Sequence, residues 1–321
     1  MRSFEWVDAN TVDEAAALLA ETSPDRPVVA KAGGMDLLDL MKEGIVQPAR
    51  VVNLKSIRSL GDVRLDTLGM QLGSLGTLAQ IERHAGLRSH YRALAEAAFH
   101  AATPQVRNAA TIGGNLLQRP RCWYFRNQHF HSLAEADHSE SQYHAIFDNQ
   151  QTVMVHASTL ATPLVAYDAS VHLTHGKGSA RAVALKDFLL PPSMTRDRDT
   201  VIEDGEILLH VSVPPIQPNT RCAYHKQTER DSYDWPICDV AVVLQMDGDV
   251  VADAKIVLGW VAPTPRRAVE SEALLIGRRL DEHSAREAAT AAVRGATPLA
   301  KNAYKVPILE TVIRRTLLAA R

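Results

Sequence analysis

The sequence predicts an α+β protein of two domains, and three observations support this prediction. The chain has 321 residues, and domains of roughly 100–200 residues leave room for two hydrophobic cores. Predicted strands and helices alternate near the N-terminus, whereas the C-terminal third combines a few strands with helices that would cover them. Pro214-Pro215 separates these regions, and it is the best candidate boundary because two consecutive prolines end a strand.

Composition and charge exclude several classes of protein. The 35 Lys and Arg residues nearly balance 37 Asp and Glu residues, so no overall basic charge indicates binding to nucleic acid or to an anionic membrane. No apolar run approaches the ~18 residues of a membrane span, and the charged N-terminus is unlike a secretory signal. The three cysteines lie far apart, which argues against a disulfide framework. We expect a cytoplasmic protein, although export together with a signal-bearing partner stays open.

The N-terminal region predicts a compact parallel α/β unit. Apolar residues at helical spacing indicate a helix over residues 11–19, with Asn10 or Thr11 as its N-cap. A short buried strand at residues 27–30 leads into the turn Gly33-Gly34. A second helix starts near Leu37, and a second strand follows at residues 50–54.

The remaining elements follow from the same patterns. In the middle of the chain we predict a strand at 70–73, helices at 78–84 and 91–100, a hairpin of strands at 164–168 and 171–173, and a strand at 207–213. The C-terminal region predicts strands at 240–246 and 254–261 and helices at 268–276, 284–294 and 304–320. Residues 119–152 are polar and lack a sustained hydrophobic period, so they form a long irregular insertion, and loops of that length usually have a function.

Two glycine pairs are the strongest local signals. Gly33-Gly34 follows a predicted strand and precedes a helix, and Gly113-Gly114 lies in a second predicted turn. A glycine pair lets the backbone approach a phosphate closely and turns N–H groups toward an anion. Neither pair fits the dinucleotide-binding or P-loop fingerprints. Two such turns in separate α/β pieces therefore suggest a diphosphate held between two subdomains, although a single glycine pair is more often only a turn.

Longer motifs around these turns carry a resemblance to a known family. The segments 32–38 (AGGMDLL) and 104–115 (PQVRNAATIGGN) resemble the FAD-binding subunit of molybdenum hydroxylases, the family of xanthine dehydrogenase, aldehyde oxidoreductase and carbon monoxide dehydrogenase. The resemblance implies an FAD-binding domain of the vanillyl-alcohol oxidase type over residues 1–216, with subdomains of about 1–60 and 61–216 and an insertion loop of about 119–152. A small α+β domain would follow over residues 217–321.

The resemblance also implies a set of residues that bind the cofactor and no catalytic residue. Residues of the first turn would wrap the diphosphate and the ribityl chain, and those of the second turn would form another cradle. Further residues would lie beside the flavin ring, where Lys226 would offer a cation or a hydrogen bond. Thr159 stands where the family usually has an aspartate. The complete set is Lys31, Ala32, Gly33, Gly34, Met35, Asp36, Leu37, Ala101, Ala102, Thr111, Ile112, Gly113, Gly114, Asn115, Thr159, Leu208 and Lys226.

The insertion resembles a subgroup in which this loop carries an additional [4Fe–4S] cluster on four cysteines. The sequence keeps Cys122, but the later ligand positions hold residues such as Ser132, Ser139 or Ser141, and Thr152. Because such a cluster is normally held by four thiolates, we expect no cluster in this chain and assign no residue as a metal ligand. Whether the histidines of the loop, His129, His131, His138 and His144, bind a metal stays open.

The implied function is electron transfer by one oxidoreductase subunit of a larger complex. A molybdopterin-binding large subunit would hydroxylate the substrate, a [2Fe–2S] small subunit would carry the electrons, and this FAD subunit would deliver them to an external acceptor. Two alternatives stay open at this point. One is a stand-alone FAD oxidase of the vanillyl-alcohol oxidase type, and the other is a non-catalytic subunit that has lost FAD.

Overall fold

A parallel sheet of three short strands forms the N-terminal unit. The computed structural model describes residues 2–127, 141–150, 152–191 and 198–321. Its first elements are β1 (Glu5–Asp8), α1 (Val12–Leu19), β2 (Val28–Lys31), α2 (Leu37–Lys42) and β3 (Arg50–Asn53). The strand order is β1-β3-β2, and both pairings are parallel. Thr11 caps α1 by accepting a hydrogen bond from the N–H of Glu14. The predicted parallel unit is therefore confirmed.

The middle unit combines an antiparallel sheet of five strands with several helices. Its elements are β4 (Val63–Asp66), β5 (Gly69–Gly73), α3 (Leu78–Arg83), α4 (Ala85–His90), α5 (Arg92–His100), α6 (Pro104–Ala109), α7 (Ile112–Leu116), α8 (Ala161–Ala166), β6 (Ser170–Gly176), β7 (Ser179–Ala184), α9 (Leu185–Phe188) and β8 (Ile207–Val213). The strand order is β4-β5-β8-β6-β7. Thr77 begins α3 with a capping box, in which its side chain and that of Gln80 each bond the other residue's backbone N–H.

The predicted hairpin of strands at 164–168 and 171–173 is wrong in its first strand. Residues 161–166 form the helix α8, and the hairpin instead joins β6 to β7. The Ser158 Oγ accepts a hydrogen bond of 3.0 Å from the N–H of Ala161 at the start of this helix. Every residue of α8 is buried, and a short apolar run with no polar face cannot be distinguished from a buried strand by its periodicity.

The C-terminal unit is an antiparallel sheet with helices on both faces. Its elements are β9 (Thr220–Thr228), β10 (Pro236–Asp247), β11 (Val250–Gly259), β12 (Arg266–Arg267), α10 (Val269–Leu275), α11 (Glu282–Ala292) and α12 (Lys305–Ala319). The strand order is β12-β11-β10-β9. On one face α10 and α12 cover the sheet, and on the other α5 and α8 of the middle unit pack against it.

The packing of α5 and α8 joins the middle and C-terminal units through a continuous core. Tyr224, Ala241 and Val257 of the C-terminal sheet belong to the same buried cluster as Tyr91 and Leu164 of the middle unit. Burial of apolar side chains on both sides of this contact holds the two units in a fixed relation. No helix among the described residues is long and apolar enough to cross a membrane.

Candidate functional site

A cavity of about 500 Å³ lies where the three units meet. Every site residue predicted from the sequence lines this cavity except Ile112, which is completely buried behind it. The lining residues of that set are Lys31, Ala32, Gly33, Gly34, Met35, Asp36, Leu37, Ala101, Ala102, Thr111, Gly113, Gly114, Asn115, Thr159, Leu208 and Lys226. Residues separated by nearly 200 positions therefore meet at one site, and its volume is typical of a pocket for a small molecule or cofactor.

The loop after β2 presents unpaired backbone donors to this cavity. The N–H groups of residues 32–36 donate no hydrogen bond to any described part of the chain. Gly34 has φ +80°, a conformation that favours glycine. Buried or partly buried N–H groups normally have an acceptor. A run of five without one therefore points to an anionic ligand that accepts from them.

The two glycine turns touch each other directly. A Cβ atom on Gly33 would lie 2.2 Å from the carbonyl oxygen of Ala109, immediately before the second turn. Gly113 packs on the end of β5, where its N–H donates to the oxygen of Ser74 at 2.9 Å. The N–H of Gly114 donates to Thr111 Oγ1 at 3.1 Å. Both glycine N–H groups of the second turn are thus paired within the protein, that of Gly113 with Ser74 and that of Gly114 with the residue that caps α7.

Two side chains of the central wall are relevant to a polar ligand. Asn115 Oδ1 accepts a hydrogen bond of 2.6 Å from Ser158 Oγ, which fixes the amide orientation next to Thr159. The Ser74 Oγ is buried, lines the cavity, and has no hydrogen-bond partner within the described residues. A buried hydroxyl without a partner costs about 1–3 kcal/mol, so a ligand that bonds it would recover stability.

A buried arginine holds the Ala101–Ala102 turn at the opposite end of the cavity. Arg107 Nη1 donates to the carbonyl oxygens of Ala102 at 2.7 Å and Ala101 at 3.3 Å, and its Nε donates to Glu82 Oε2 at 2.8 Å. Ala102 has φ +48°, which is unfavourable for a residue with a Cβ atom. Arg107 belongs to the motif 104–115 that carried the family resemblance, but the sequence alone did not show its clamping role.

Lys226 reaches this end of the cavity from β9. Its Nζ donates to the carbonyl oxygens of His100 at 2.8 Å and Asp234 at 2.7 Å. Burial lowers the pKa of Lys226, because desolvation penalises the charged form. Leu208 of β8 supplies an apolar wall in the same cavity. The cavity therefore combines an apolar side chain with one amino group held by two hydrogen bonds.

The cavity wall contains residues that sequence reasoning did not assign to it. Arg119, Arg121, Tyr233 and Trp235 line the cavity together with Ser74. The arginines belong to the insertion, where a cluster of basic residues was the available signal. Asp36, which we predicted to contact the cofactor, also binds the insertion through its side chain. Its carboxylate accepts from the N–H of Arg119 at 2.9 Å and pairs with Arg126 Nη2 at 2.5 Å.

In the insertion, where relatives of the subgroup would carry an iron–sulfur cluster, the thiol of Cys122 lies beside the ring of His144. Cys122 Sγ lies 3.6 Å from His144 Nε2, and both side chains are buried. Burial raises the pKa of Cys122 and, with Lys305 nearby, lowers the pKa of His144 to about 4. The hydroxyls of Ser141 and Thr152 accept from backbone N–H groups. His129, His131, His138, Ser132 and Ser139 lie outside the described residues, and the absence of a cluster stays a prediction.

Fold and cavity together define a flavoprotein of the molybdenum hydroxylase class, and comparison with known proteins confirms this. Residues 2–216 match the FAD binding domain in molybdopterin dehydrogenase, and residues 223–320 match the CO dehydrogenase flavoprotein C-terminal domain. The chain belongs to this family of FAD-binding oxidoreductase subunits.

Full-length relatives support the assignment. The chain is 31% identical to the aldehyde oxidoreductase FAD-binding subunit PaoB of Escherichia coli K12, over 100% of this chain and 99% of the relative. It is 27% identical to the carbon monoxide dehydrogenase medium chain of Hydrogenophaga pseudoflava, over 99% and 96% of the two chains. A structure of carbon monoxide dehydrogenase from that organism, which lacks the Mo-pyranopterin moiety, superposes with a TM-score of 0.79 at 26% identity, covering 99% of this chain and 97% of the other.

The residues that line the cavity fit FAD. The unpaired N–H groups of residues 32–36 suit a diphosphate, and the unpaired Ser74 hydroxyl suits a polar group of the cofactor. The apolar end near Leu208 suits an aromatic ring system. FAD accepts and donates one or two electrons when bound.

Proposed function

We propose that this chain is the electron-transfer subunit of a molybdenum hydroxylase complex. It takes electrons from a [2Fe–2S] subunit after substrate hydroxylation at a molybdopterin subunit, and it passes them to an external acceptor. The observation that carries this proposal is the cavity itself. Its donors and charges suit a flavin, while the described part of its wall contains no histidine, no cysteine and no carboxylate without an ion pair.

The first glycine loop is the natural site for the diphosphate. The N–H groups of residues 32–36, which all line the cavity, have no acceptor among the described residues. A ligand can therefore accept from them without breaking a hydrogen bond within the protein. The contact of Gly33 with Ala109 keeps the loop against the second turn. We assign the diphosphate and ribityl contacts to residues 31–37 and the supporting wall to residues 111–115 and Thr159.

The opposite end of the cavity is the natural site for the flavin ring. The turn at Ala101–Ala102 is held by Arg107, and the Lys226 Nζ is held by two carbonyl oxygens. A fixed ammonium near the ring stabilises the negative charge of the reduced ring by Coulomb attraction, which is stronger in a partly desolvated site than in water. Lys226 therefore raises the reduction potential of the bound flavin.

The ionisable groups of the wall argue against a stand-alone oxidase. No histidine or cysteine is among the described residues lining the cavity. Its carboxylates, Asp36, Glu206 and Asp234, are ion-paired with Arg126, Arg181 and Arg230, respectively. Tyr233 reaches the rim but is 63% exposed. A general base needs an accessible lone pair near the reacting atom, and these groups do not supply one.

The proposal is tested by isolating the chain from its own cells through an affinity tag. Molybdenum, iron and FAD are then measured in the complex, and its flavin absorbance is followed after an oxidisable aldehyde or N-heterocycle is added without oxygen. We expect all three components and substrate-dependent bleaching of the flavin. A chain that purifies alone with FAD and oxidises an alcohol directly would support the oxidase alternative, and a chain free of FAD would support the non-catalytic one.

A further inference from the structure

The insertion places Arg121 in the wall of the cavity. Its Nη2 lies 3.0 Å from Asp36 Oδ1 and donates to Gln118 Oε1 at 3.1 Å. Its Cζ lies 4.9 Å from the ring centroid of Trp235, within the range of a cation–π contact. Arg121 therefore connects the first glycine loop to the loop that follows β9.

Arg121 belongs to an ion-pair network in which two arginines face two carboxylates. Arg126 pairs with Asp36 at 2.5 Å and with Asp39 at 2.8 Å. The Arg121 Nη1 is 3.6 Å from the same Asp39 oxygen. In addition, the Arg121 Nε is buried and has no hydrogen-bond partner among the described residues. A buried guanidinium with an unpaired donor is costly, and an anionic ligand that accepts from this guanidinium would compensate part of that cost.

The other charged groups of the wall lead to the same conclusion. The cavity wall carries Lys31, Asp36, Arg119, Arg121, Glu206, Lys226 and Asp234. Each of the three carboxylates has an arginine partner outside the wall, and Arg119 pairs with Asp199. Arg121 and Arg126 together balance Asp36 and Asp39. Lys31 and Lys226 therefore remain without a carboxylate partner among the described residues. Lys226 is held near the Ala101–Ala102 end, whereas Lys31 and Arg121 flank the loop with the free N–H groups.

We propose that Arg121 is a cofactor-binding residue that the insertion contributes to the FAD site. Its guanidinium pairs with the anionic diphosphate, and stacking on Trp235 fixes the plane of the guanidinium. This inference rests on the proposed function, because it takes FAD as the ligand. It gives the insertion a role that needs no iron–sulfur cluster, since the start of the insertion supplies arginines to the wall of the cofactor cavity.

The test compares Arg121→Gln with the wild-type chain and with Arg83→Gln, an exposed arginine outside the cavity. Dissociation constants of the cofactor-free proteins are measured by calorimetry for FAD, ADP and riboflavin. Riboflavin lacks phosphate, whereas ADP carries the diphosphate without the flavin. We expect Arg121→Gln to weaken FAD and ADP binding by about tenfold or more and to leave riboflavin binding unchanged, because the variant loses a charge-assisted hydrogen bond to the diphosphate. Arg83→Gln should bind all three ligands like the wild type.

Each outcome separates this inference from the proposed function. Equal FAD and ADP affinities in Arg121→Gln and wild type would overturn the inference while leaving FAD binding intact. Equal losses for riboflavin and FAD would also overturn it, because they would show that Arg121 only shapes the cavity. A wild-type chain that binds no FAD would refute the proposed function itself. Arg121→Lys keeps the charge but loses the planar stack, so an intermediate affinity for ADP would support the assignment. Thermal unfolding of the cofactor-free variants checks that they are folded.

Discussion

Replacing Gly33 by alanine tests the contact between the two glycine turns. The new Cβ would lie 2.2 Å from the Ala109 carbonyl oxygen, 3.0 Å from the Ala109 carbonyl carbon and 3.2 Å from the Ala110 Cα. All three are backbone atoms, so no side chain can rotate away. The turns must therefore separate by about 0.8 Å to reach even a 3.0 Å contact. Overpacking of this kind costs about 1–3 kcal/mol.

The separation should appear as a loss of FAD affinity. Without a ligand, the Gly33→Ala chain relieves the strain by opening the cavity, and binding must then restore the strained closed arrangement. A strain of about 1–3 kcal/mol corresponds to roughly a 5- to 150-fold rise in the dissociation constant, because about 1.4 kcal/mol is tenfold. The assay is titration of the cofactor-free chain with FAD, followed by quenching of flavin fluorescence.

Gly61→Ala is the matched control, because a Cβ on Gly61 would meet nothing within 4 Å. This variant should bind FAD as tightly as the wild type. If Gly33→Ala is folded and also binds FAD with wild-type affinity, the close packing of the two turns does not shape the cofactor site, and the argument from that contact is wrong.

Three further predictions concern other parts of the site and fold. Lys226→Met should lower the flavin midpoint potential by roughly 30–60 mV in a spectroelectrochemical titration. Lys186→Met, at an exposed position, should leave the potential unchanged. An unchanged potential in Lys226→Met would show that Lys226 does not set the potential of the flavin. Arg107→Met should lower the free energy of unfolding by about 3–5 kcal/mol in a denaturant titration, because Glu82 and two carbonyl oxygens lose their partner. A loss below about 1 kcal/mol would contradict the proposed role of Arg107 in holding the Ala101–Ala102 turn. Burial lowers the pKa of His156 to about 4, so the folded chain keeps this residue neutral, and the unfolded chain takes up its proton first as the pH falls from about 6.5 to 4. Protonation of His156 in the unfolded chain should therefore lower the free energy of unfolding by about 3 kcal/mol in that pH window. His156→Gln should make the free energy of unfolding less dependent on pH there. An unchanged pH dependence would show that the buried histidine does not titrate in this way.

The sequence predicted the elements whose patterns are local. The helix at residues 11–19 has both a capping threonine and an apolar stripe, and α12 has the length to show its period clearly. The strand predicted at 164–168 failed for a local reason as well, because a fully buried helix has no polar face. The glycine turns were found because few residue types allow a backbone to come so close to a ligand.

The sequence could not show which distant residues share a contact. Arg126 and Asp36 are 90 positions apart, and the irregular segment that carries Arg126 has no hydrophobic period from which a location could be inferred. The clamp of Arg107 on the Ala101–Ala102 turn was equally hidden, because an arginine in a motif is as consistent with a surface charge as with a buried support. These contacts depend on tertiary packing, and only the structure shows them.

The visible absorption spectrum of the purified chain, with iron and flavin analysis of the same sample, tests the central claim most directly. The account predicts a flavin spectrum, about one FAD per chain after incubation with FAD, and no iron. A colourless chain that FAD cannot restore would contradict the assignment of the cavity. A brown chain with about four irons would instead show that the insertion binds a cluster with ligands beyond Cys122.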